Sequence, residues 1–355
     1  MKIIVACGGT GGHAFPGLAV AEELKRRGHD VTVWVSGRDI ESSVMTAWQG
    51  ESFATLAKQL SLKNVLSIIR SIIRCRSQMR KQKPDALLAM GSYSSFPPVL
   101  AARLCGVKVY LHEANTVPGR AVELLSRFAQ KVAISFDFTA SRLKDCETVK
   151  TGLPIRDGIT KGKRFDFIPA NAFVIFVTGG SQGAHAVNEL TTSAIIMMKK
   201  ELDRRAGENK RPLYVIHQTG VADEGRVIAS YASVGQPSRV HAFEREMANA
   251  FASADIVVAR AGASTCFELA ACGKSALLIP LPTSMRNHQH FNADEFAKKG
   301  AADEGIQANL SARQLSRYLL DKYDRPQYLA SMSEKILALA MPDAAARVAD
   351  VVEGR

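Results

Sequence analysis

Two glycine-rich stretches carry the chemistry most easily read from this chain. Gly8-Gly9-Thr10-Gly11-Gly12-His13 follows the apolar run Lys2 to Cys7, and Gly179-Gly180-Ser181-Gln182-Gly183-Ala184 follows Phe173 to Val177. Glycines at a strand-to-helix turn let backbone N–H groups approach an anion, and the helix start adds about half a positive charge. A diphosphate is the natural guest. A tight turn without a ligand is the competing reading for either loop alone, and the presence of two such loops weakens it. Farther on, Arg260-Ala261-Gly262-Ala263-Ser264-Thr265-Cys266-Phe267-Glu268 opens a helix after a strand, with Ser264 and Thr265 placed to cap it. Glu268, one turn in, could grip the two vicinal hydroxyls of a ribose, or it is a glutamate favoured by the helix dipole. Met285 to Asn292 gathers amides and imidazoles (Asn287, His288, Gln289, His290, Asn292) that suit sugar hydroxyls or simply form a polar loop.

Other chemistries fit less well. Gly9-x-Gly11-x-x-Ala14 satisfies the loose dinucleotide fingerprint, but the next strand ends Ser36-Gly37-Arg38 without the acid that holds a ribose. Arg38 would suit the phosphate of NADP, so an NADP-binding oxidoreductase stays as a rival. Neither glycine loop carries the Gly-Lys-Ser/Thr of a P-loop. No metal site is expected: there is no Asp-x-Asp, and His288 and His290 have no third ligand at metal-site spacing. No cofactor is expected either.

The elements that must hold these loops form two similar halves. The first reads strand, glycine loop, a helix from Phe15 to Arg27 with Pro16 in its first turn, a stop at Gly28, and a strand at Val31 to Val35. Ala86 to Met90 leads into Gly91-Ser92-Tyr93, and Val107 to Leu111 leads into His112-Glu113-Ala114-Asn115. The pattern restarts at Phe173, with later strands at Asp255 to Arg260 and Ser275 to Pro280. The expected architecture is α/β, with two doubly wound domains facing a cleft. Residues 1–157 would form one domain, joined by a returning helix at 341–355, and residues 158–340 the other. The polar stretch Lys161 to Asp166 suits a linker.

Composition narrows the partners. The 355 residues are 46% hydrophobic and 23% charged, enough for sizeable cores. Lys and Arg number 46 against 34 Asp and Glu, a net +12 that favours anionic partners. Aromatics are only 7% and do not interleave with basic residues, which argues against nucleic acid. No apolar run approaches the ~18 residues of a spanning helix. Ile3 to Cys7 is shorter than the apolar core of a secretory signal, so the expected compartment is cytoplasmic. The six scattered cysteines, with no C-x-x-C, are expected to be reduced thiols.

In order along the chain, Gly8 to His13, Gly91-Ser92-Tyr93, His112 to Asn115, Gly152-Leu153-Pro154-Ile155-Arg156, Gly179 to Ala184, the segment ending in Glu268, and Gln289 before Asn292-Ala293 resemble the MurG family of glycosyltransferases. The resemblance spans essentially the whole chain and implies a GT-B fold. It also implies an inverting transfer of N-acetylglucosamine (GlcNAc) from UDP-GlcNAc to the C4 hydroxyl of lipid I, giving lipid II. Carried over position by position, Ser181 and Arg156 bind the diphosphate, and Ala263, Ser264, Thr265, Cys266, Phe267 and Glu268 cover ribose and diphosphate. Gln289 binds GlcNAc, and Thr10, Gly11, Gly12 and Asn115 complete the UDP-GlcNAc site. Tyr93 and His112 are expected at the acceptor. Many relatives have Gly-Gly-Tyr where this chain has Gly91-Ser92-Tyr93. A UDP-GlcNAc 2-epimerase, another lipid-directed sugar transferase and a nucleotide-binding module without activity are the alternatives.

A base must take the acceptor's proton. His13 is the leading candidate, with Glu113 second. A lipid-linked acceptor also implies a peripheral position on the cytoplasmic face of the inner membrane, and other cell-wall synthesis proteins are conceivable partners. Residues 62–83 suit docking on an anionic surface. Between Glu51 and Asp85 there is no acid, while Leu62, Val65, Leu66, Ile69, Ile72 and Ile73 recur at helical spacing. The competing reading is an amphipathic helix that packs this stripe on the domain core.

Overall fold

A computed structural model of the chain describes residues 1–9, 11–37, 45–46, 48–58, 61–205 and 211–355. Thr10 and Arg38 lie outside the described residues, as does the side chain of Leu62. The chain divides into two compact units, Met1–Asp157 with Met341–Arg355, and Gly158–Ala340.

The first unit is built on a seven-stranded parallel sheet in the order β3-β2-β1-β4-β5-β6-β7. Its strands are β1 (Lys2–Ala6), β2 (Asp30–Val35), β3 (Ser52–Ala54), β4 (Ala86–Ala89), β5 (Lys108–Glu113), β6 (Lys131–Ile134) and β7 (Thr148–Lys150). Both faces are covered, so the central strands read as continuous apolar runs. Ile3 and Val5 join Leu18, Val348 and Val352 on one face, while Ile4 and Ala6 join Trp34, Cys75 and Val99 on the other.

The second unit repeats the plan with six parallel strands in the order β10-β9-β8-β11-β12-β13. These are β8 (Phe173–Thr178), β9 (Leu213–Gln218), β10 (Ser238–His241), β11 (Ile256–Ala259), β12 (Ala276–Leu278) and β13 (Asp303–Glu304). Phe173, Ile175 and Val177 pack on Val187, Ile195, Met198 and Leu315, while Phe176 meets Phe251 edge-on, ring centroids 5.5 Å apart, on the other face.

Three local expectations need correction. The first helix spans Gly11–Arg26, so Pro16 is its sixth residue and not part of the first turn. Proline there forfeits the hydrogen bond to the Gly12 carbonyl, and its buried ring packs inside the domain instead. His13 accordingly lies in the first helical turn, not on the loop. The stretch from Lys161 to Asp166 is not a free linker. Arg164 donates to the carbonyls of Ser253, Pro169 and Ala172, Lys163 N–H to Asn249, and Phe165 N–H to Ser253 Oγ. Polar composition signalled the segment, but its hydrogen bonds fasten it to the second unit.

The C-terminal helix Ala344–Glu353 is held in the first unit by Arg27. Its guanidinium reaches Glu23 at 2.7 Å, Asp350 at 2.6 Å, Glu353 at 2.8 Å and the Ala346 carbonyl at 3.0 Å. Glu353 also meets His29 at 2.6 Å. The hydrogen bond from Arg26 is the strongest influence on Glu23; burial opposes it, and with Arg27 it holds the carboxyl down to about 2. A depressed carboxyl stabilises the fold fully above its unfolded value, and that contribution drains away as pH falls toward 2. Arg27→Met should therefore cost about 2–3 kcal/mol by chemical denaturation at pH 7. The deficit should shrink on titration from pH 5 toward pH 2, and a pH-independent deficit would mean that Arg27 acts through packing alone.

Candidate functional site

In each sheet the chain first winds to one side and then returns to the other. The change of direction falls between β1 and β4 in the first unit and between β8 and β11 in the second. Ligands of open α/β sheets bind outside the carboxyl ends of strands at this point. Both glycine loops follow the strands that flank it.

In the first unit Gly9, at φ +122°, leaves no room for a Cβ against Ser92 Oγ, and Ser94 Oγ donates to the Gly8 carbonyl. The loops after β1 and β4 are thus pressed together. Ser92 itself stands at φ 68°, ψ 163°, a region that glycine occupies with little cost. Tyr93 begins the short turn after Ser92 and is half-buried. His13 lies beside this turn, its ring 3.6 Å from where a Cβ of Gly91 would be. Arg156 stacks over the ring of Phe15 at 5.1 Å, which places it against the start of the Gly11–Arg26 helix.

His112 and Glu113, at the end of β5, are buried. His112 Nε2 donates to the Gly152 carbonyl at 3.1 Å. Burial, with a smaller effect of nearby His13, pushes its pKa down to about 4, so the ring is neutral at neutral pH. Its side chain is 0% exposed. The Glu113 carboxylate accepts from Asn115 N–H at 2.9 Å, Asn115 Nδ2 at 3.2 Å and Gly119 N–H at 2.9 Å. Burial raises its pKa against these hydrogen bonds. Its oxygens hold the 113–119 loop in shape, and with it Asn115.

In the second unit Gly183 and Gly220 meet. A Cβ on the first would overlap the Thr219 carbonyl, and one on the second the Gln182 carbonyl. Gln218 Nε2 donates to the Gly180 carbonyl at 2.8 Å. Ser181 is exposed on this turn, just before the His185–Arg204 helix. The same unit holds a polar network that leaves no periodic mark in the sequence. Asn188 Nδ2 donates to Asp223 and to the Thr219 carbonyl, both at 2.8 Å, so its Oδ1 accepts from His217 Nε2 at 3.1 Å. His217 Nδ1 then accepts from Tyr231 OH at 3.1 Å. Burial pushes His217 down to about 3. Asp223 is held at about 2: burial acts to raise it, and Asn188, His185 and Arg226 outweigh that.

The helix after β11 spans Ala263–Ala271, with Gly262 at its N-cap and no side-chain cap. Ser264 and Thr265 are its second and third residues, so the expected capping by them does not occur; Gly262 has already taken the extended cap conformation. Cys266, Phe267 and Glu268 are buried. Glu268 lies in the second turn, beyond the reach of the dipole argument, and is only 7% exposed. A buried carboxylate is costly unless hydrogen-bonded, so helix-start propensity does not explain this residue. Gln289, in the helix His288–Ala297, accepts at Oε1 from Leu281 N–H at 3.0 Å. Asn292 Nδ2 donates to the Ala261 carbonyl at 3.1 Å. His290 pairs with Glu304 at 2.7 Å. Ser264, Thr265, Glu268 and Gln289 are thus on elements that follow β11 and β12, and Ser181 on the loop after β8. Gly11, Gly12, His13, Tyr93, Asn115 and Arg156 belong to the first unit. Among the described residues no three His, Cys, Asp or Glu side chains form a metal-binding group.

Known proteins match over the same ground. Residues 3–134 match the glycosyltransferase family 28 N-terminal domain and residues 174–348 its C-terminal domain. A protein of Trichlorobacter lovleyi named UDP-N-acetylglucosamine--N-acetylmuramyl-(pentapeptide) pyrophosphoryl-undecaprenol N-acetylglucosamine transferase is 35% identical, with 100% of this chain and 98% of that one aligned. One of the same name from Syntrophotalea carbinolica is 36% identical over 98% of this chain and 97% of its own. The crystal structure of Acinetobacter baumannii MurG superposes with a TM-score of 0.79 at 28% identity, covering 100% of this chain and 99% of that one. A UDP-GlcNAc 2-epimerase from Neisseria meningitidis, bound to UDP-GlcNAc, reaches 0.73 at 14% identity over 100% of both chains, a likeness of fold.

Proposed function

The chain belongs to the MurG family within glycosyltransferase family 28, and from that membership we propose that it moves GlcNAc from UDP-GlcNAc to the C4 hydroxyl of MurNAc in lipid I, giving lipid II for peptidoglycan synthesis. The observation that carries this reading is identity of 35–36% to transferases of that name along nearly the whole length of both chains. The fold is GT-B, with two Rossmann-like domains.

The acceptor hydroxyl attacks C1 of GlcNAc, inverting it, and UDP leaves. Charge builds on the diphosphate as the bond breaks. Fixed N–H groups of the Gly179–Ala184 turn, with Ser181, meet that charge without reorganising. Glu268 holds the ribose hydroxyls, Gln289 the sugar. His13 is the better candidate for the base. It stands in the first helical turn beside the Gly91 turn, whereas the oxygens of Glu113 already hold Asn115 and Gly119.

UDP release should depend on a lipid I analogue, and His13→Ala should lower turnover by about 10²–10⁴ with a small change in KM for UDP-GlcNAc. UDP release without an acceptor, or an epimerised product, would overturn the transferase reading; near-normal turnover in the variant would remove His13 as base.

Glu268→Ala should weaken UDP-GlcNAc binding by about 2–4 kcal/mol in calorimetry while the fold persists, since charge-assisted hydrogen bonds contribute about 1.5–3 kcal/mol each. Unchanged affinity would leave Glu268 a structural carboxylate.

The enzyme docks on an anionic membrane surface through residues 62–83, on the cytoplasmic face where lipid I is taken up. No helix among the described residues is long and apolar enough to cross a membrane. The helix Val65–Gln82 buries Ser71, Cys75 and Met79 and turns its apolar stripe outward: Leu66 is 72% exposed and Ile73 62%, with Val65 and Ile69 also exposed. Packing on the core would have buried these residues, so that alternative loses its support. Arg70, Arg80 and Lys81 are exposed on the same helix, while Arg74 is held to the Ala54 carbonyl and over Phe53. Each basic residue near an anionic leaflet adds about 1 kcal/mol. Changing Arg70, Arg80 and Lys81 to Glu should release the protein from phosphatidylglycerol vesicles in co-sedimentation, as should high salt in part. Undiminished binding would place the contact elsewhere.

A further inference from the structure

Arg260 directly follows β11 and carries a charge into the interior of the second unit. It is 7% exposed, and its hydrogen-bond acceptors are neutral: the carbonyls of Ile279 at 3.2 Å and Pro280 at 3.0 Å, and Gln307 Oε1 at 2.7 Å. Its Nε has no hydrogen-bond partner among the described residues. Burial lowers its pKa, with no carboxylate opposing that shift. Burying a guanidinium without a counter-charge is expensive, and an apolar side chain would fill the volume at less cost. Something about the carbonyls it holds must matter.

Those carbonyls belong to the turn that leaves β12. The next residue, Leu281, donates its N–H to Gln289 Oε1 at 3.0 Å. With its oxygen engaged, the Gln289 amide is oriented and its two N–H donors point the other way. A second stitch runs back: Asn292, one turn along the same helix, donates to the carbonyl of Ala261, the neighbour of Arg260. Arg260 thus stands at the base of a closed run of hydrogen bonds through the 279–281 turn, Gln289 and Asn292.

We propose that Arg260 is a positioning residue for donor-sugar recognition: by clamping the Ile279 and Pro280 carbonyls it aims the Leu281 N–H at Gln289 and so presents the Gln289 amide to the sugar of the nucleotide donor. This rests on the reading of Gln289 as a GlcNAc ligand. The clamp governs the sugar and leaves the nucleotide alone.

Calorimetry with UDP and with UDP-GlcNAc on the full chain tests it. Arg260→Met should bind UDP within about twofold of wild type but UDP-GlcNAc about tenfold more weakly, the scale of one lost hydrogen bond. Gln289→Ala should do the same, and the double variant should be no weaker than Gln289→Ala alone. Equal loss for both ligands, or multiplied losses in the double variant, would overturn the proposal. Should Arg260→Met fail to fold, Gln307→Leu removes one anchor and should give a smaller loss confined to UDP-GlcNAc; no loss, or loss of UDP as well, refutes the clamp. Exchange of the Leu281 amide provides a readout independent of ligand, and should quicken in whichever of these two variants folds. Failure of wild type to bind UDP-GlcNAc would sink the donor reading, whereas unchanged Leu281 exchange would sink the positioning role.

Discussion

Close approach of backbone to backbone at the carboxyl ends of β1 and β8 is the constraint from which the rest of this protein follows. At Gly183 and Gly220 two loops meet with no space for a single methyl group, and at Gly8 the first loop meets the backbone of Ser36 in the same way. Such contact leaves peptide N–H groups at the surface with no side chain over them, next to a helix start. A parallel sheet supplies that place once, where its strand order reverses. This chain uses it in each of its two sheets.

Loops so shaped need support from below, and the support is polar. Asn188 spends its amide on Asp223, the Thr219 carbonyl and His217, so that two loops share one fully satisfied side chain. Glu113 does the equivalent work in the first unit by holding Asn115 and Gly119. Such networks are costly when half-satisfied and rigid when complete, which suits residues whose task is to fix the position of others. Arg260 follows the same logic with a full charge, accepting neutral carbonyls as partners because they sit where a turn must be held.

The outward stripe of the Val65–Gln82 helix reverses the usual economy of a surface helix. Small and polar Ser71 and compact Cys75 face the sheet, where Ser71 Oγ donates to the Thr55 carbonyl at 2.7 Å. Val65, Leu66, Ile69 and Ile73 are left in solvent, while Ile68 and Ile72 are half-buried. An exposed apolar stripe beside the exposed Arg70, Arg80 and Lys81 is the pattern that suits the proposed reversible contact with an anionic apolar surface.

Sequence alone determined the two-fold α/β plan, the places of the glycine turns and the family. Strands buried on both faces appear as continuous apolar runs, and glycines are required wherever backbone approaches backbone, so each is a local signature. Tertiary structure alone decided which side of the Val65–Gln82 helix is inside. Periodicity shows that a stripe exists and is silent about what it meets. The same holds for the carboxylates. Glu113 and Glu268 look alike as letters in the chain, but the oxygens of one are occupied by its own loop, while the other lies buried in a second helical turn after β11, where no local propensity accounts for it. Arg260 was legible only as the first letter of a helix-opening segment. Its partners at 279, 280 and 307 are distant in the chain, and hydrogen bonds between distant residues leave no periodic mark.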